Sequence, residues 1–471
     1  MTAHPSYPHA TERPVPSVLI VGGGIGALFL AILLDKAGIP YEIFERDPEV
    51  RTIGSIMALN SNILPTFEQL GIYEEFKSIS LPCKSLKIMN GEMEKILDVP
   101  TLDERLTGYD YRLLSRPKLY EFLQAKVPAD KIHFNKKFVS SEETTDGVTV
   151  HFADGTSHHG SILVGADGAY SAVRRELLKT LKDLDILPPA DDIELNIGYS
   201  CLVGTTDSVD PEKYPFVKNQ HTDQLQVIGD GTPYSWTCFN VRDNRLCYVI
   251  ISQYTTVAKT ENGKFSGRRW GPEHCEEMME QVKDFQAPCG GTLGDLFNLT
   301  PREKISRVYL HDKLFESWTH GRTVLLGDSA HKLLPSAGKG AVCAMQDAVI
   351  LTNCLYELES LDTDSIKRAL QDYQQQRYPH VKTLYESSQT NALFVHGQTV
   401  FEKSLRYIVF NWVPDSVMKR DWSKDPSYRP QIAFLPQAAK RGTGKILPQK
   451  PSKRYEEEKR RIEERACIRR L

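Results

Sequence analysis

The stretch from residue 17 to residue 46, SVLIVGGGIGALFLAILLDKAGIPYEIFER, constrains the fold more than any other part of the chain. Its apolar residues 18–21 and 41–44 predict two buried parallel strands, and residues 25–34 predict a helix that packs on the sheet. A strand, a glycine-rich turn, a helix and a second strand form the βαβ unit of dinucleotide-binding domains. The sequence therefore predicts an α/β fold organised around this unit.

Small residues in the turn fit a phosphate-binding loop. Gly22 allows the tight turn, Gly24 lets the backbone approach a pyrophosphate, and Ala27 keeps the helix close to the strand. The amino terminus of the helix offers N–H groups and the positive end of its dipole to phosphates. Glu45 ends the second strand, where a carboxylate accepts ribose hydroxyls, and Arg46 follows it. The pattern alone does not tell which dinucleotide is bound.

Composition excludes several other classes of protein. The chain has 471 residues, and its net charge of −3 does not indicate a nucleic-acid-binding protein. Its nine scattered cysteines, with no CxxC pair, predict reduced thiols and neither a disulfide framework nor a metal site. We find neither a secretory signal nor an apolar window long enough to span a membrane, and therefore expect a cytoplasmic protein.

Two further segments bring an aspartate to the carboxyl end of a predicted strand. SILVGAD ends at Asp167, and RTVLLGDSAH contains Asp328 after Gly327. The loop 335–341, PSAGKGA, then opens the next helix, and its glycines permit close approach of the backbone to a planar ligand. A helix start also stabilises negative charge on such a ligand.

The remaining chain contains three segments with different residue patterns. Residues 185–310 contain strand-like pieces separated by polar turns, which predicts an antiparallel sheet in a second domain. A long helical tract runs from about residue 340 to residue 387. Beyond Gly442 a basic and acidic tail shows i,i+4 pairs that suit an exposed helix.

The three loop motifs, in this order, resemble those of the FAD-dependent aromatic hydroxylase class of monooxygenases, typified by p-hydroxybenzoate hydroxylase. LSRPKLYEFL, GDSAHKLLPSAGKGAVCAMQDAVILTNCLYEL and YRPQIAFLP further resemble the fungal branch of secondary-metabolite monooxygenases and epoxidases. The resemblance implies a two-domain α/β (α+β) protein. It would have a Rossmann-like FAD-binding domain, an antiparallel-sheet substrate domain and a helical C-terminal region.

The chain divides accordingly into six expected parts. In chain order they are a flexible N-terminal arm (1–16), the first part of the FAD-binding domain (17–184), the substrate-binding sheet domain (185–310), the second part of the FAD-binding domain (311–390), a C-terminal helical and apolar region (391–441) and a charged tail (442–471).

The resemblance also assigns cofactor residues. It places the pyrophosphate at Gly22 and Gly24, the adenosine ribose at Glu45, and Arg116 near the pyrophosphate and the ribityl chain. The other residues expected at FAD are Ala27, Arg46, Val139 (through its backbone, at adenine), Asp167 (also implicated in NAD(P)H contacts), Gly327 and Asp328 (ribityl and pyrophosphate), and Pro335, Gly338, Gly340 and Ala341 (isoalloxazine). For Asp167 the alternative is a capped turn between strand and helix.

The implied reaction takes a hydride from NAD(P)H and oxygen from O₂ through a flavin C4a-hydroperoxide. It hydroxylates or epoxidises a small aromatic, terpenoid or polycyclic substrate held between the sheet and the flavin. Tyr234 matches the spacing of a tyrosine given an active-site role in the fungal branch, although a structural role is favoured. Tyr199 and Trp236 are weaker pocket candidates, and His331 is expected to pack or hydrogen-bond rather than to act as a base.

Three alternatives remain open at this point. One is a flavin reductase or halogenase of the same fold, although the WxWxIP segment of the halogenases is absent. Another is a non-catalytic FAD-fold binding protein, which the intact GD motif disfavours. The third concerns residues 393–413, which either form an interfacial amphipathic helix on a membrane or pack on the FAD domain, the latter being favoured.

Overall fold

The computed structural model of the protein describes residues 14–49, 54, 56–101, 104–193, 197–229, 231–253, 275–335, 338–396, 400–412 and 425–468. Most of the predicted N-terminal arm, and residues 397–399 and 413 of the candidate amphipathic segment, lie outside these ranges.

The described strands are, in chain order, β1 (Val18–Val21), β2 (Tyr41–Phe44), β3 (Ile56–Leu59), β4 (Leu81–Met89), β5 (Lys95–Pro100), β6 (Arg112–Ser115), β7 (Ile132–His133), β8 (Phe138–Glu143), β9 (Val148–Phe152), β10 (Ser157–Gly160), β11 (Ile162–Gly165), β12 (Ile197–Thr205), β13 (Thr222–Ile228), β14 (Tyr234–Val241), β15 (Arg245–Gln253), β16 (Ser306–His311), β17 (Lys313–Leu314), β18 (Thr319–His320), β19 (Thr323–Leu325) and β20 (His331–Lys332).

The described α-helices are α1 (Ile25–Ala37), α2 (Leu64–Gln69), α3 (Tyr73–Ile79), α4 (Glu104–Thr107), α5 (Arg116–Gln124), α6 (Ala172–Asp183), α7 (Glu276–Val282), α8 (Leu293–Asn298), α9 (Gly340–Tyr356), α10 (Thr363–His396), α11 (Val400–Trp412) and α12 (Lys453–Ile468).

A six-stranded sheet forms the centre of the cofactor part of the molecule. Its order is β18-β19-β11-β1-β2-β7, and every pair is parallel except β18 with β19. All four residues of β1 are buried, as a strand covered on both faces requires. Gly38 ends α1 with φ of +68°, the left-handed conformation that glycine adopts most readily. The predicted βαβ unit is confirmed.

A small antiparallel sheet of order β10-β9-β8 follows. Its two connections contain the predicted turns, Asp146-Gly147 between β8 and β9 and Asp154-Gly155 between β9 and β10. The chain then returns to the central sheet through β11, as the sequence predicts.

The second main layer is a nine-stranded sheet of order β16-β12-β15-β14-β13-β4-β6-β3, with β5 paired to β4. The predicted antiparallel pairing holds among β12 to β16. The pair β13 and β4, however, is parallel. Strand β4 (residues 81–89) lies outside the segment expected to form the substrate domain. The six-part division of the chain stays a prediction.

The two faces of this sheet meet different partners. Trp236, Tyr248 and Ile250 point to one face, where α7 and α8 cover them. Cys201 and Ile251 point to the other face, which we call the cofactor-side face, because there they pack with residues of the loop after β20 and of α10. By strand register, this face carries Tyr199, Cys201, Val203, Thr205, Ser235, Thr237, Phe239, Val241, Arg245, Cys247, Val249, Ile251 and Gln253.

The long helical tract of the sequence is two helices rather than one. The first, α9, ends at Tyr356, and α10 begins at Thr363 after a short turn and includes Pro379 in its interior. Nearly all of α9 is buried, because it lies between α1 and α10. The predicted α/β class with a helical C-terminal region is confirmed.

Residues 425–450, which we call the C-terminal strap, run back across the cofactor part of the molecule. Gln69 Nε2 donates to the carbonyls of Ile432 and Pro436, both at 3.0 Å, and the Asn353 side chain bonds the backbone of Gln431 and Ala433.

The charged tail continues from the strap as α12. The Tyr356 hydroxyl donates to Glu458 at 3.0 Å, and the Arg454 guanidinium lies 4.3 Å from the Tyr356 ring centre. The first half of α12 therefore packs on the end of α9, whereas residues 459–464 are exposed as predicted. Within the described residues we find no helix with the length and apolar character that a membrane crossing requires.

Candidate FAD and substrate site

The glycine loop between β1 and α1 requires glycine at one position and leaves space at another. Gly22 has φ of +103°, and a Cβ atom there would meet the Ala166 carbonyl oxygen at 2.4 Å. Gly24 directly precedes α1, and a Cβ atom there would meet nothing within 4 Å. The loop therefore presents open space beside Gly24, where a pyrophosphate could approach the backbone.

The amino terminus of α1 is suited to bind an anion. Among the described residues, no side chain caps this helix and its first turn holds no acidic residue. Its N–H groups and dipole thus favour a phosphate. Ala27 is buried in the core, but the closest helix contact is at Gly26, where a Cβ would meet Leu326 at 2.7 Å and Ala344 at 3.1 Å. Gly26 was not predicted from the sequence, although the GGGIG run contains it.

Glu45 is held in a fixed orientation at the end of β2. Its Oε2 accepts the Gly23 N–H at 2.7 Å and its Oε1 accepts the Asp47 N–H at 2.9 Å. Each carboxylate oxygen accepts more than one hydrogen bond, so Glu45 keeps capacity for ribose hydroxyls. The neighbouring Arg46 side chain is exposed.

The start of α5 brings two side chains to the site. Arg116 lies at the first position of the helix, and Tyr120, one turn later, donates from its hydroxyl to the Gly23 carbonyl at 2.8 Å. Burial raises the pKa of Tyr120 to about 12, so this hydroxyl remains a donor. Arg116 was predicted from the sequence and Tyr120 was not, although its i,i+4 spacing from Arg116 could have suggested it.

The GD turn contains a carboxylate surrounded by positive charge. Gly327 has φ of +62°, and Asp328 accepts a hydrogen bond from Lys332 Nζ at 2.8 Å. Burial acts to raise the pKa of Asp328, but the charges of Lys332 and Arg116 outweigh it, and the pKa lies below its usual value. Burial lowers the pKa of Arg116, an effect that Asp328 opposes. The structure thus brings Arg116 and Asp328, 212 positions apart by their numbers, into one electrostatic site.

Asp167 caps α6. Its carboxylate accepts the Ser171 hydroxyl and the N–H of Ala172, the latter at 2.6 Å. The following residue, Gly168, donates its N–H to the Ser329 hydroxyl at 2.9 Å, which joins this loop to the GD turn. The geometry supports the capped-turn alternative, and a direct cofactor contact of Asp167 stays a prediction.

The loop before α9 is exposed on both sides of residues 336–337. Pro335 and Gly338 are exposed, and residues 336–337 lie outside the described residues. Gly338 has φ of +59°, and a Cβ atom there would lie 3.5 Å from the Tyr111 hydroxyl. Gly340 and Ala341 begin α9, and a Cβ at Gly340 would meet nothing within 4 Å. The helix start is open, as the predicted flavin contact requires.

Three remaining predicted residues occupy other surroundings. Val139 is 59% exposed on β8, which leaves its predicted backbone contact with adenine a prediction. Tyr234 and Trp236 point to the face that α7 and α8 cover, where Tyr234 donates to Gln281 and Trp236 donates to the Gln286 carbonyl. Strand alternation turns both side chains away from the cofactor-side face, in keeping with the structural role favoured for Tyr234, and an active-site role of either residue stays a prediction.

Tyr199 points to the cofactor-side face, as a pocket residue should, and packs near Leu334. His331 is buried and its Nε2 lies 2.6 Å from Asp347 Oδ2. The expectation that His331 packs and hydrogen-bonds is therefore supported by its surroundings.

Together these elements define a dinucleotide site of the FAD type. Glu45 would hold the adenosine ribose, the α1 amino terminus and the open space beside Gly24 the pyrophosphate, and the Arg116–Asp328 pair the ribityl chain. Glycine at 340, with open space beside it, follows at the flavin end. The donors and acceptors present fit FAD.

The comparisons with known proteins agree with this class. The family model of an FAD binding domain matches residues 16–187 and 291–388, more than half of the chain, and the chain belongs to this family. The FAD-dependent monooxygenase ptmM of Penicillium ochrochloron is 29% identical over 397 residues, covering 82% of this chain and 90% of that protein. The FAD-dependent monooxygenase ausM of Emericella nidulans is 28% identical over 448 residues, covering 92% and 90%.

Solved structures share the fold. Klebsiella pneumoniae HpxO complexed with FAD and uric acid superposes with a TM-score of 0.70 at 22% identity, over 88% of this chain and 97% of that one. A salicylate hydroxylase substrate complex superposes with a TM-score of 0.64 at 20% identity, over 90% and 99%. The predicted resemblance is confirmed: the protein is an FAD-dependent monooxygenase with NAD(P)H as its co-substrate.

Proposed function

We propose that this monooxygenase inserts one oxygen atom of O₂ into an uncharged and largely apolar organic substrate, an aromatic or polycyclic terpenoid compound. The second oxygen atom leaves as water, with NAD(P)H as the two-electron donor. The observation that carries the proposal is the chemistry of the cofactor-side face. In the described parts of β12, β14 and β15, the side chains on this face are uncharged except for Arg245, at the first position of β15.

A mostly uncharged face favours an uncharged substrate. A carboxylate removed from water costs several kcal/mol unless a positive charge pairs with it. Within those strands this face offers only Arg245, at the opposite end of β15 from Gln253, which pairs with Tyr199. Val249 and Tyr199 on this face are only half-buried, so they border space rather than solid core. One relative, an aurachin C monooxygenase/isomerase from Stigmatella aurantiaca, is 29% identical over 72% of this chain.

FAD and the residues of the chain would have different roles in the reaction. When bound, FAD supplies the hydride acceptance and the oxygen activation. Arg116, Asp328 and Glu45 would hold it by charge and hydrogen bonds, and the start of α9 at Gly340 would favour negative charge on the ring. The cofactor-side face excludes water from the reaction, which protects a reactive oxygen species from hydrolysis.

The test is a substrate screen scored by stimulated NAD(P)H oxidation, followed by mass analysis of products formed under ¹⁸O₂. We expect uncharged polycyclic or prenylated aromatic compounds to stimulate oxidation and to gain 18 mass units for hydroxylation or epoxidation, as one ¹⁸O enters. Stimulation by salicylate or urate alone, or equal turnover without O₂, would contradict the proposal.

We further propose a cytoplasmic location. All eight cysteines whose side chains are described are buried and free of disulfides, which fits a reducing compartment. Fractionation of cells that express the protein tests this: recovery with the membrane pellet after a high-salt wash would contradict it.

A further inference from the structure

A buried carboxylate that the proposed reaction does not use lies directly behind the GD turn. Asp347 of α9 is fully buried, and its Oδ2 accepts the Gly327 N–H at 3.0 Å and lies 2.6 Å from His331 Nε2. Its Oδ1 accepts Arg377 Nε at 2.7 Å. Because Gly327 has the conformational freedom of glycine, the bond to Asp347 helps to fix the turn that carries Asp328.

Metal binding is a poor explanation of this cluster. His331, Cys343 and Asp347 bring ligand atoms within 4.8 Å of one another. Arg377, however, already supplies the positive charge: it bonds Asp347 and its NH2 lies 3.2 Å from the Cys343 sulfur. Burial also raises the pKa of Cys343 to about 12, which keeps it a thiol rather than a thiolate ligand.

The C-terminal strap reaches this cluster through one aromatic ring. The guanidinium carbon of Arg377 lies 5.3 Å from the centre of the Tyr428 ring, and that ring stacks on His380 with centres 3.6 Å apart. A buried arginine over an aromatic face gains a cation–π attraction, and the ring also limits its rotamers. Tyr428 thus contacts the same guanidinium whose Nε donates to Asp347.

A second connection runs from the same strap residue to the flavin end of the site. The Tyr428 carbonyl accepts Asn62 Nδ2 at 2.9 Å, and Asn62 Oδ1 accepts Lys339 Nζ at 3.3 Å. Lys339 directly precedes Gly340 and α9. The Asn62 carbonyl also accepts Gln346 Nε2 at 3.2 Å, so Asn62 is fixed from both the strap and α9.

We propose that Tyr428 of the C-terminal strap is a positioning residue for the FAD site. Its ring orders the GD turn through Arg377 and Asp347, and its carbonyl orders the loop before α9 through Asn62. Tyr428 touches neither reaction partner; it acts through these neighbours. The proposal depends on FAD being held at the GD turn and not on the identity of the substrate.

The strap supplies its own matched control. Phe434 lies in the same strap and stacks on Tyr356 with ring centres 4.5 Å apart, but Tyr356 lies at the far end of α9. Replacing Tyr428 or Phe434 by leucine removes one stacked aromatic ring from the strap in each case. The two variants therefore separate a general loosening of the strap from an effect on the FAD site.

The experiment measures FAD affinity of the apo-protein by quenching of flavin fluorescence, and apo-protein stability by thermal unfolding. We expect Tyr428→Leu to weaken FAD binding about tenfold, equal to about 1.4 kcal/mol. Both leucine variants should lower the unfolding temperature of the apo-protein by similar amounts. Phe434→Leu, however, should leave FAD affinity within twofold of the wild type. Tyr428→Phe, which keeps the aromatic ring that Tyr428→Leu removes, should have wild-type FAD affinity; the backbone carbonyl bonded to Asn62 is present in both variants.

Two further outcomes decide the case. If Tyr428→Leu and Phe434→Leu weaken FAD binding equally, the strap only stabilises the fold and the proposal is wrong. In an Asp347→Asn background, Tyr428→Leu should cost less than in the wild type, because the connection to Gly327 is already weakened; full additivity would contradict the coupling. Neither measurement uses a substrate, so the proposed reaction could fail while this inference holds.

Discussion

The cofactor site and the cofactor-side face of the large sheet are built from different kinds of contact. The cofactor site consists of backbone amides, glycines and a few charged side chains, among them Glu45 and Asp328, which are fixed by directional bonds. The sheet face in β12, β14 and β15 consists of side chains that are uncharged apart from Arg245, and their shape decides what fits. Changes on the first side should therefore alter FAD retention, and changes on the second should alter substrate use.

The same difference is visible in the comparison with the family. The family model matches residues 16–187 and 291–388 and leaves out the segment between them, which contains β12 to β15. A directional site restricts which residue can stand at a given position, whereas an apolar face accepts many combinations of similar volume. Substrate choice can thus change while the FAD site remains recognisable.

The largest expected effect concerns the glycine loop, in which we expect Gly22 to be needed for stability and Gly24 for FAD binding. Gly22→Ala should lower the stability of the apo-protein by about 1–3 kcal/mol through backbone strain alone, since position 22 has a positive φ. The clash of the new Cβ with the Ala166 carbonyl oxygen, at 2.4 Å, adds to that cost. Gly24→Ala should leave apo-protein stability nearly unchanged, since its Cβ meets nothing within 4 Å, but should lower FAD affinity. Thermal unfolding and FAD titration measure the two quantities. Equal stability of both variants would show that the loop geometry is wrong.

The next effect compares two aspartates in adjoining loops. Asp328→Asn should weaken FAD binding about tenfold, since hydrogen bonds to a charged acceptor are worth about 1.5–3 kcal/mol. Asp167→Asn turns one of the two carboxylate oxygens, which accept the Ser171 hydroxyl and the Ala172 N–H, into an amide donor, and should instead cost about 1 kcal/mol of apo-protein stability. FAD affinity and urea unfolding are measured on both variants. If Asp167→Asn weakens FAD binding as much as Asp328→Asn does, Asp167 contacts the cofactor after all.

Much of the cofactor part of the fold was predictable because its signals are local. The βαβ unit, its turn and its helix end follow from the order of residues within one stretch of thirty. The parallel pairing of β4 with β13 was not, because it joins Leu86 to Gln224 with no pattern in either segment that names its partner. Non-local pairing of this kind is set by tertiary packing.

The candidate site divides in the same way. Gly22, Glu45 and Asp328 were found because backbone conformation and strand ends restrict them. Tyr120 and Asp347 were missed because each acts by one side-chain bond to a backbone group distant in sequence, Gly23 being 97 positions from Tyr120. An ordinary buried tyrosine or helix aspartate has the same local pattern, so only the structure distinguishes them.

A smaller effect is expected on the cofactor-side face. Val249→Thr should raise KM for the substrate a few-fold, because a hydroxyl now borders the apolar space, and should leave FAD affinity unchanged. The matched control is Val227→Thr, on the face covered by α7 and α8, which should lower stability without changing KM. Steady-state kinetics and FAD titration measure both. A changed FAD affinity for Val249→Thr would break the division between the two sides.

The smallest effect is expected at Tyr234. Its hydroxyl donates to Gln281, and its ring packs edge-on against Phe285 with centres 6.1 Å apart, both away from the cofactor-side face. Tyr234→Phe should therefore keep kcat and KM within about twofold, because a partly exposed hydrogen bond is worth about 1 kcal/mol and its loss falls on stability. Tyr199→Phe, on the cofactor-side face, should change KM more. A tenfold fall in kcat for Tyr234→Phe, with FAD affinity unchanged, would instead require β14 to turn this side chain toward the flavin during turnover.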